Sequence, residues 1–137
     1  MGKIEPYPYI KTIKGEWAGI TAGGCENHRQ TYPNNPKYIV TVPESRNPCN
    51  LVAQLKGPKQ YQMGVDARVE ALDDPNVTAP FLRESSGPYR SGFVVLELRN
   101  LPAGRYVLTP STFYPAQEGP FFLELRSTCE ITCEARS

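Results

Sequence analysis

The residues able to do nucleophilic or metal chemistry are few. Cys25, Cys49, Cys129 and Cys133 are the cysteines, and His28 is the single histidine. A nucleophilic cysteine needs a base beside it and usually a third group to orient that base. Cys25 and His28 are the one such pair, but catalytic Cys and His normally come from distant segments. The Gly23-Gly24 step before them reads as a turn. A zinc reading would join Cys25-x-x-His28 to Cys129-x-x-x-Cys133, yet no hairpin is evident to hold tight ligand pairs. Four cysteines also permit two disulfides. Cys129 and Cys133 on one strand would lie about 13 Å apart, too far for a local bridge. With no targeting segment in view the chain reads as cytosolic, or as a fragment of a larger protein, so the thiols are expected to be free. No catalytic, cofactor-binding or metal-binding residue is assigned, and no cofactor is expected.

Calcium chemistry is tested by the acids. Calcium takes 6–8 oxygen ligands, several of them carboxylates. The aspartates are Asp66, Asp73 and Asp74 only. Asp66 falls on the polar side of an alternating segment, and Asp73-Asp74-Pro75 reads as a solvated turn. No phosphate-binding glycine loop is present. Asn76-Val77-Thr78 matches a glycosylation sequon, which matters only in a secreted chain. Lys+Arg is 15 against Asp+Glu 14, so bulk charge gives no pull toward nucleic acid. Tyr7, Tyr9 and Tyr32 lie in proline-rich stretches, where they cover the ends of a domain or stack on a sugar or proline ligand.

The elements that must position these residues are strands. The 137 residues make about one domain. Eleven glycines and fourteen prolines exceed the usual ~12% share and disfavour long helices. Alternating apolar residues mark strands at Tyr38 to Val42, Leu51 to Leu55, Val65 to Ala71, Phe93 to Arg99, Arg105 to Thr109 and Phe121 to Arg126. Trp17 to Thr21 and Glu130 to Cys133 are weaker strands. Residues 73–92 read as a long loop with a short strand at Ala79 to Arg83. The inward sets are Tyr38, Val40 and Val42, then Leu51, Ala53 and Leu55, then Val94, Leu96 and Leu98. About eight short antiparallel strands between turn signals make an all-β sandwich. Residues 1–14 read as a lead-in strand or linker, and 15–137 as one domain.

Two blocks go beyond this class. The first is Trp17-Ala18-Gly19-Ile20-Thr21-Ala22-Gly23-Gly24-Cys25-Glu26-Asn27, continuing through Thr31-Tyr32 and Asn35-Pro36-Lys37-Tyr38. The second is Gly104-Arg105-Tyr106-Val107-Leu108-Thr109-Pro110-Ser111-Thr112-Phe113, then Pro115, Gln117-Glu118-Gly119 and the strand at Phe121. Together they resemble the calpain large-subunit C2-like β-sandwich, the family's domain III. The resemblance implies a non-catalytic domain of an intracellular cysteine (thiol) protease, whose catalytic residues lie in a separate core. Cys25 matches the sandwich signature, not the nucleophile. The acidic loop of conventional calpains has no counterpart here. That departure resembles the PalB-type, calpain seven branch, which lacks EF-hands, ends in tandem C2-like domains and engages ESCRT-III through N-terminal MIT domains. The finish soon after the last strand favours the distal sandwich.

The implied function is protein interaction or positioning of the protease core without calcium. The implied partners are the rest of the parent protease or another protein, with ESCRT-III-related proteins held by other segments. The implied location is cytoplasmic, nuclear or endosomal, and the domain is expected to be monomeric. The other reading is a peripheral module that binds phospholipid weakly and without calcium, because nine arginines are available to gather on one face. A carbohydrate-binding jelly roll rests on the loop tyrosines alone.

Overall fold

The computed structural model describes residues 7–136. Ten strands run in order: β1 Tyr9–Trp17, β2 Lys37–Val42, β3 Cys49–Lys56, β4 Gln62–Leu72, β5 Arg83–Ser85, β6 Arg90–Ser91, β7 Phe93–Leu101, β8 Gly104–Thr112, β9 Gly119–Ser127 and β10 Thr132–Arg136. They form two antiparallel sheets. The first has the order β1-β9-β3-β7, and the second β10-β2-β8-β4-β5, with β6 also paired to β4. The two strands beyond the expected eight are the short β5 and β6 inside the 73–92 stretch. The strand there lies at Arg83–Ser85, after Leu82, because it pairs across β4 from Asp66 to Arg68.

Alternation explains the layers. Side chains on a strand face opposite sides in turn, so every second residue enters the space between sheets. Tyr38, Val40 and Val42, Leu51, Ala53 and Leu55, and Val94, Leu96 and Leu98 are all buried as expected. The lead-in is more than a tether. From Tyr9 onward it pairs with β9 along its whole length, Tyr9 against Ser127 and Trp17 against Gly119. Residues 1–6 lie outside the described residues. Trp17 ends β1, and Gly19 to Thr21 form a 3-10 turn in place of the expected strand, entered at Gly19 with φ 58°. That left-handed backbone suits glycine and stops the extended chain.

Trp17 is fully buried, its indole Nε1 donates to the Pro110 carbonyl at 3.1 Å, and its ring lies 4.6 Å from that of Phe121. Tyr38 meets Phe121 edge-on from the opposite sheet. One aromatic cluster thus joins β1, β2, β8 and β9.

The expectation of four free thiols is corrected. Cys49 and Cys129 form a disulfide with Cα atoms 5.7 Å apart, while Cys25 and Cys133 are free. The reason is register. Leu51 pairs with Ser127, so continuing the antiparallel ladder by two residues puts Cys49 opposite Cys129. Asn50 and Thr128 extend that ladder, Thr128 N donating to Asn50 O and Asn50 N to Thr128 Oγ1.

Two outcomes follow from this packing. Trp17→Ala is expected to cost about 3–5 kcal/mol in urea unfolding, and a loss below ~1 kcal/mol would contradict the core described. Reducing the disulfide, which spans 80 residues of sequence, is expected to lower stability by about 2–4 kcal/mol. The comparison is unfolding with and without dithiothreitol, and the Cys49→Ser variant should show no such dependence.

Candidate functional site

The first signature block folds into a strap over the outer face of the second sheet. Gly24 has φ 79°, and a Cβ there would lie 2.7 Å from Pro115 N. Only glycine fits both the backbone and the space. The strap is closed by Asn35, which is 3% exposed. Its Oδ1 accepts from Gly23 N at 3.1 Å, and its Nδ2 donates to Gly24 O at 2.8 Å and Tyr32 O at 2.9 Å. Thr31 Oγ1 donates to Gly23 O at 2.7 Å. The strap is then pinned to the second block, Cys25 N donating to Phe113 O and Ala116 N to Ala22 O. The two blocks are therefore one structural unit. The Asn35 side chain thereby satisfies the backbone of the segment that leads into β2.

Beneath the strap lies Asp66. It points away from the core, as alternation predicts for the residue between buried Val65 and Ala67. It is nevertheless only 5% exposed. The expectation of an open polar face fails here because the strap and the 81–91 segment cover the strand. Asp66 Oδ2 accepts from Tyr32 Oη at 2.5 Å, from Arg83 Nη2 at 2.6 Å and from Arg83 Nε at 3.0 Å. Arg83 Nη1 pairs with Glu26 on the strap. Asp66 Oδ1 is buried without a hydrogen-bond partner. Burial opposes the Arg83 charge, but Glu26 and Asp66 more than offset it and hold its pKa above the usual value. Burial, then the Asp66 hydrogen bond, pushes the Tyr32 phenol well above its ordinary range. Beside this group opens a cleft of about 370 Å³ that reaches Cys25, Glu84, Ser86, Tyr89 and Phe113. Burial pushes the Tyr89 phenol up to about 12, and its hydroxyl lies 2.6 Å from Ser111 Oγ.

The same sheet face carries a second groove, about 320 Å³, lined by Lys37, Arg68, Val69, Val107 and Arg136. Glu70 accepts from Arg136 and from Arg105 Nε, and the Arg136 contact leads in holding its carboxyl below the usual range. Burial, followed by repulsion from Arg136, lowers the Lys37 pKa.

Sequence-level candidates are placed as follows. His28 N donates to Cys25 O, but the His28 ring lies toward Tyr114 at 6.3 Å. No hydrogen bond joins the Cys25 thiol to the imidazole among the described residues, and the thiol is buried. Cys129 is bonded to Cys49, so the four proposed zinc ligands do not assemble. Among the described residues no group of three or more His, Cys, Asp or Glu is placed to hold a metal. Asp73 and Asp74 are exposed, and Asp74 Oδ1 accepts from Asn76 N. Tyr9 lies in strand β1, not a loop, and Tyr32 is spent on Asp66. The Asp66–Arg83 pair went unseen in the sequence. Asp66 alternates with Arg68 and Glu70 as outward charges on a strand do, so no local signal marked it.

Tyr32→Phe should cost about 1–2 kcal/mol, because it removes a donor from a buried carboxylate. Equal urea midpoints for wild type and variant would contradict that role. Burial pushes the Cys133 thiol up to about 11. At pH 8 it should alkylate about two orders of magnitude more slowly than an exposed cysteine, since the thiolate is the nucleophile. Mass-resolved iodoacetamide kinetics check this, and an ordinary rate would contradict it.

Comparison with known proteins matches this architecture. Residues 13–70 and 81–125 match the family described as calpain large subunit, domain III. The chain is 47% identical to human Calpain-7 over 128 residues, covering 93% of the chain and 15% of that protein. It is 28% identical to Drosophila melanogaster Calpain-A over 91% of the chain and 18% of that protein. The chain thus spans only a small part of the curated relatives it matches. Among solved structures, the pre-peptidase C-terminal domain of collagenase from Bacillus anthracis superposes with a TM-score of 0.50 at 15% identity. That likeness covers 84% of this chain and 87% of the other, and it concerns the sandwich fold alone. The sandwich, the strap and these matches place the chain in the calpain large-subunit domain III family, in its calpain-7 branch.

Proposed function

We propose that the chain is a non-catalytic interaction and positioning domain of a calpain-type cysteine endopeptidase, working without calcium. The observation that carries the interaction role is a row on the outer face of the first sheet. Phe93, Lys56, Phe122 and Lys14 stand side by side across β7, β3, β9 and β1. Phe93 and Phe122 are each 43% exposed, with Val95 beside them at 41%. Exposed aromatics between cations favour a protein surface that is apolar and acidic. The rest of the parent protease is the partner proposed for it. ESCRT-III-related proteins would be engaged by other segments of that parent, in the cytoplasm, at endosomes or in the nucleus.

Calcium independence is supported by the fate of the aspartates. Asp66 is committed to Arg83 and Tyr32, and Asp74 to a turn. What remains falls short of the carboxylate-rich shell calcium takes.

A second reading, weak phospholipid binding without calcium, is favoured by the gathering of Lys37, Arg68, Arg105 and Arg136 around Glu70. A cationic face attracts anionic headgroups at about 1 kcal/mol per basic residue at the surface.

The paired substitution Phe93→Ser and Phe122→Ser in the full parent protease should lower peptidase activity at least severalfold while the domain stays folded. Unchanged activity would contradict positioning through this row. Cleavage of a peptide by the isolated chain, lost on Cys25→Ala, would contradict the non-catalytic role. Sedimentation with phosphatidylserine vesicles separates the membrane reading. Pelleting that appears only with micromolar calcium would contradict calcium independence.

A further inference from the structure

The groove on the outer face of the second sheet carries positive charge without a matching acid. Lys37 from β2, Arg68 from β4 and Arg136 from β10 line it, against one carboxylate, Glu70. Arg136 and Arg105 already bond Glu70, while Lys37 and Arg68 make no ion pair among the described residues. Arg68 also stands opposite Arg83 in the ladder, and Asp66 on the same face of β4 is committed to that Arg83. Lys37 Nζ is held in place by the carbonyls of Pro33 and, at 3.3 Å, of Asn35. Burial and then repulsion from Arg136 depress its pKa, as for a cation that lacks its counter-ion. The floor of the groove is Val107 and Thr109, both buried. Thr109 is the ladder partner of Asp66 and so shares its outward face. Thr109 is 4% exposed, and its hydroxyl makes no hydrogen bond among the described residues. That hydroxyl is not sealed away, since the sealed unpartnered side-chain atom is Asp66 Oδ1. A largely buried hydroxyl without a partner costs free energy that a ligand acceptor would recover.

We propose that this groove binds the phosphoryl group of a phosphorylated serine or threonine side chain on a protein partner. A phosphomonoester carries about −1.5 to −2 charge at pH 7, which matches the surplus of cations over carboxylate. It offers three acceptor oxygens, enough for the Arg68 fork, the Lys37 ammonium and the Thr109 hydroxyl together, whereas a carboxylate offers two. Val107 and Val69 supply apolar wall for the short stem that carries the phosphoryl group. The floor is recessed, so one protruding side chain reaches it, while a bilayer presents its phosphates in a plane. The assignment deepens the interaction role proposed above and rests on it for the protein nature of the partner. It lies on a different sheet from the Phe93–Phe122 row, so failure of either test leaves the other standing.

The test is titration of the 137-residue chain, observed by amide NMR, with a short alanine peptide bearing a central phosphoserine. The phosphopeptide is expected to shift the amides of Lys37, Arg68 and Thr109 in a saturable way. The same peptide with glutamate at the centre should bind at least about tenfold more weakly, and with serine it should give no saturable shift. Inorganic phosphate, which lacks the stem and chain, should bind at least about fivefold more weakly than the phosphopeptide. Arg68→Gln, on the exposed surface, should weaken phosphopeptide binding about tenfold, while Arg99→Gln on the first sheet should leave it unchanged. Thr109→Val keeps the shape, removes the hydroxyl and should weaken binding about threefold. If that variant fails to fold, Arg68→Gln decides. No saturable shift with the phosphopeptide, equal binding of the glutamate peptide or of inorganic phosphate, or equal weakening by Arg68→Gln and Arg99→Gln would overturn the proposal. Pelleting with vesicles of phosphatidylcholine and phosphatidic acid that excess phosphopeptide does not displace, but Arg68→Gln abolishes, would assign the groove to a membrane and overturn it too.

Discussion

The second sheet depends on one carboxylate. Asp66 ties together three segments that are distant in sequence: the strap through Tyr32, the 81–91 segment through Arg83, and β4 itself. Glu26 closes the circuit by pairing the strap directly with Arg83. A charge moved out of water loses much solvation free energy, and a buried pair is retained only where geometry and further hydrogen bonds repay it. Here the repayment comes from two loops that have little other reason to lie down. The strap has an internal lock at Asn35 and a tether to Phe113, but its seat on the sheet face is polar. Covering that face builds the cleft.

The first sheet is held differently. Its inner face is aliphatic and aromatic, its ladder is regular, and the Cys49–Cys129 bridge secures the end where β3 and β9 part. Its outer face is left bare, with the phenylalanines and lysines of one row standing in the open. The two sheets thus divide labour. One exposes a rigid apolar and cationic surface, and the other carries loops, clefts and charge.

Most of the strands were legible because burial has period two on a half-covered sheet. The segments Tyr38 to Val42, Leu51 to Leu55 and Phe93 to Arg99 need no tertiary knowledge to read. The two signature blocks were legible as a family resemblance before their contact through Cys25 N and Phe113 O was visible. Three features were not legible. Asp66 alternates like any outward polar residue, and nothing local says that two loops will cover it. The disulfide depends on the register of β3 against β9, which a cysteine count does not supply. The turn at Gly19 to Thr21 is polar and apolar in turn, as a strand would be, but Gly19 adopts a left-handed backbone there. In the first two cases the deciding information is long-range.

The central claim is that Asp66 couples the strap and the 81–91 segment as one unit. Native-state hydrogen exchange on Asp66→Ala tests it most directly. The protected amides of both covering segments, among them Tyr32, Asn35 and Ser86, should lose protection together and to a similar degree. The β3–β9 ladder should keep its protection. Loss confined to one covering segment, or spread evenly over both sheets, would contradict the account.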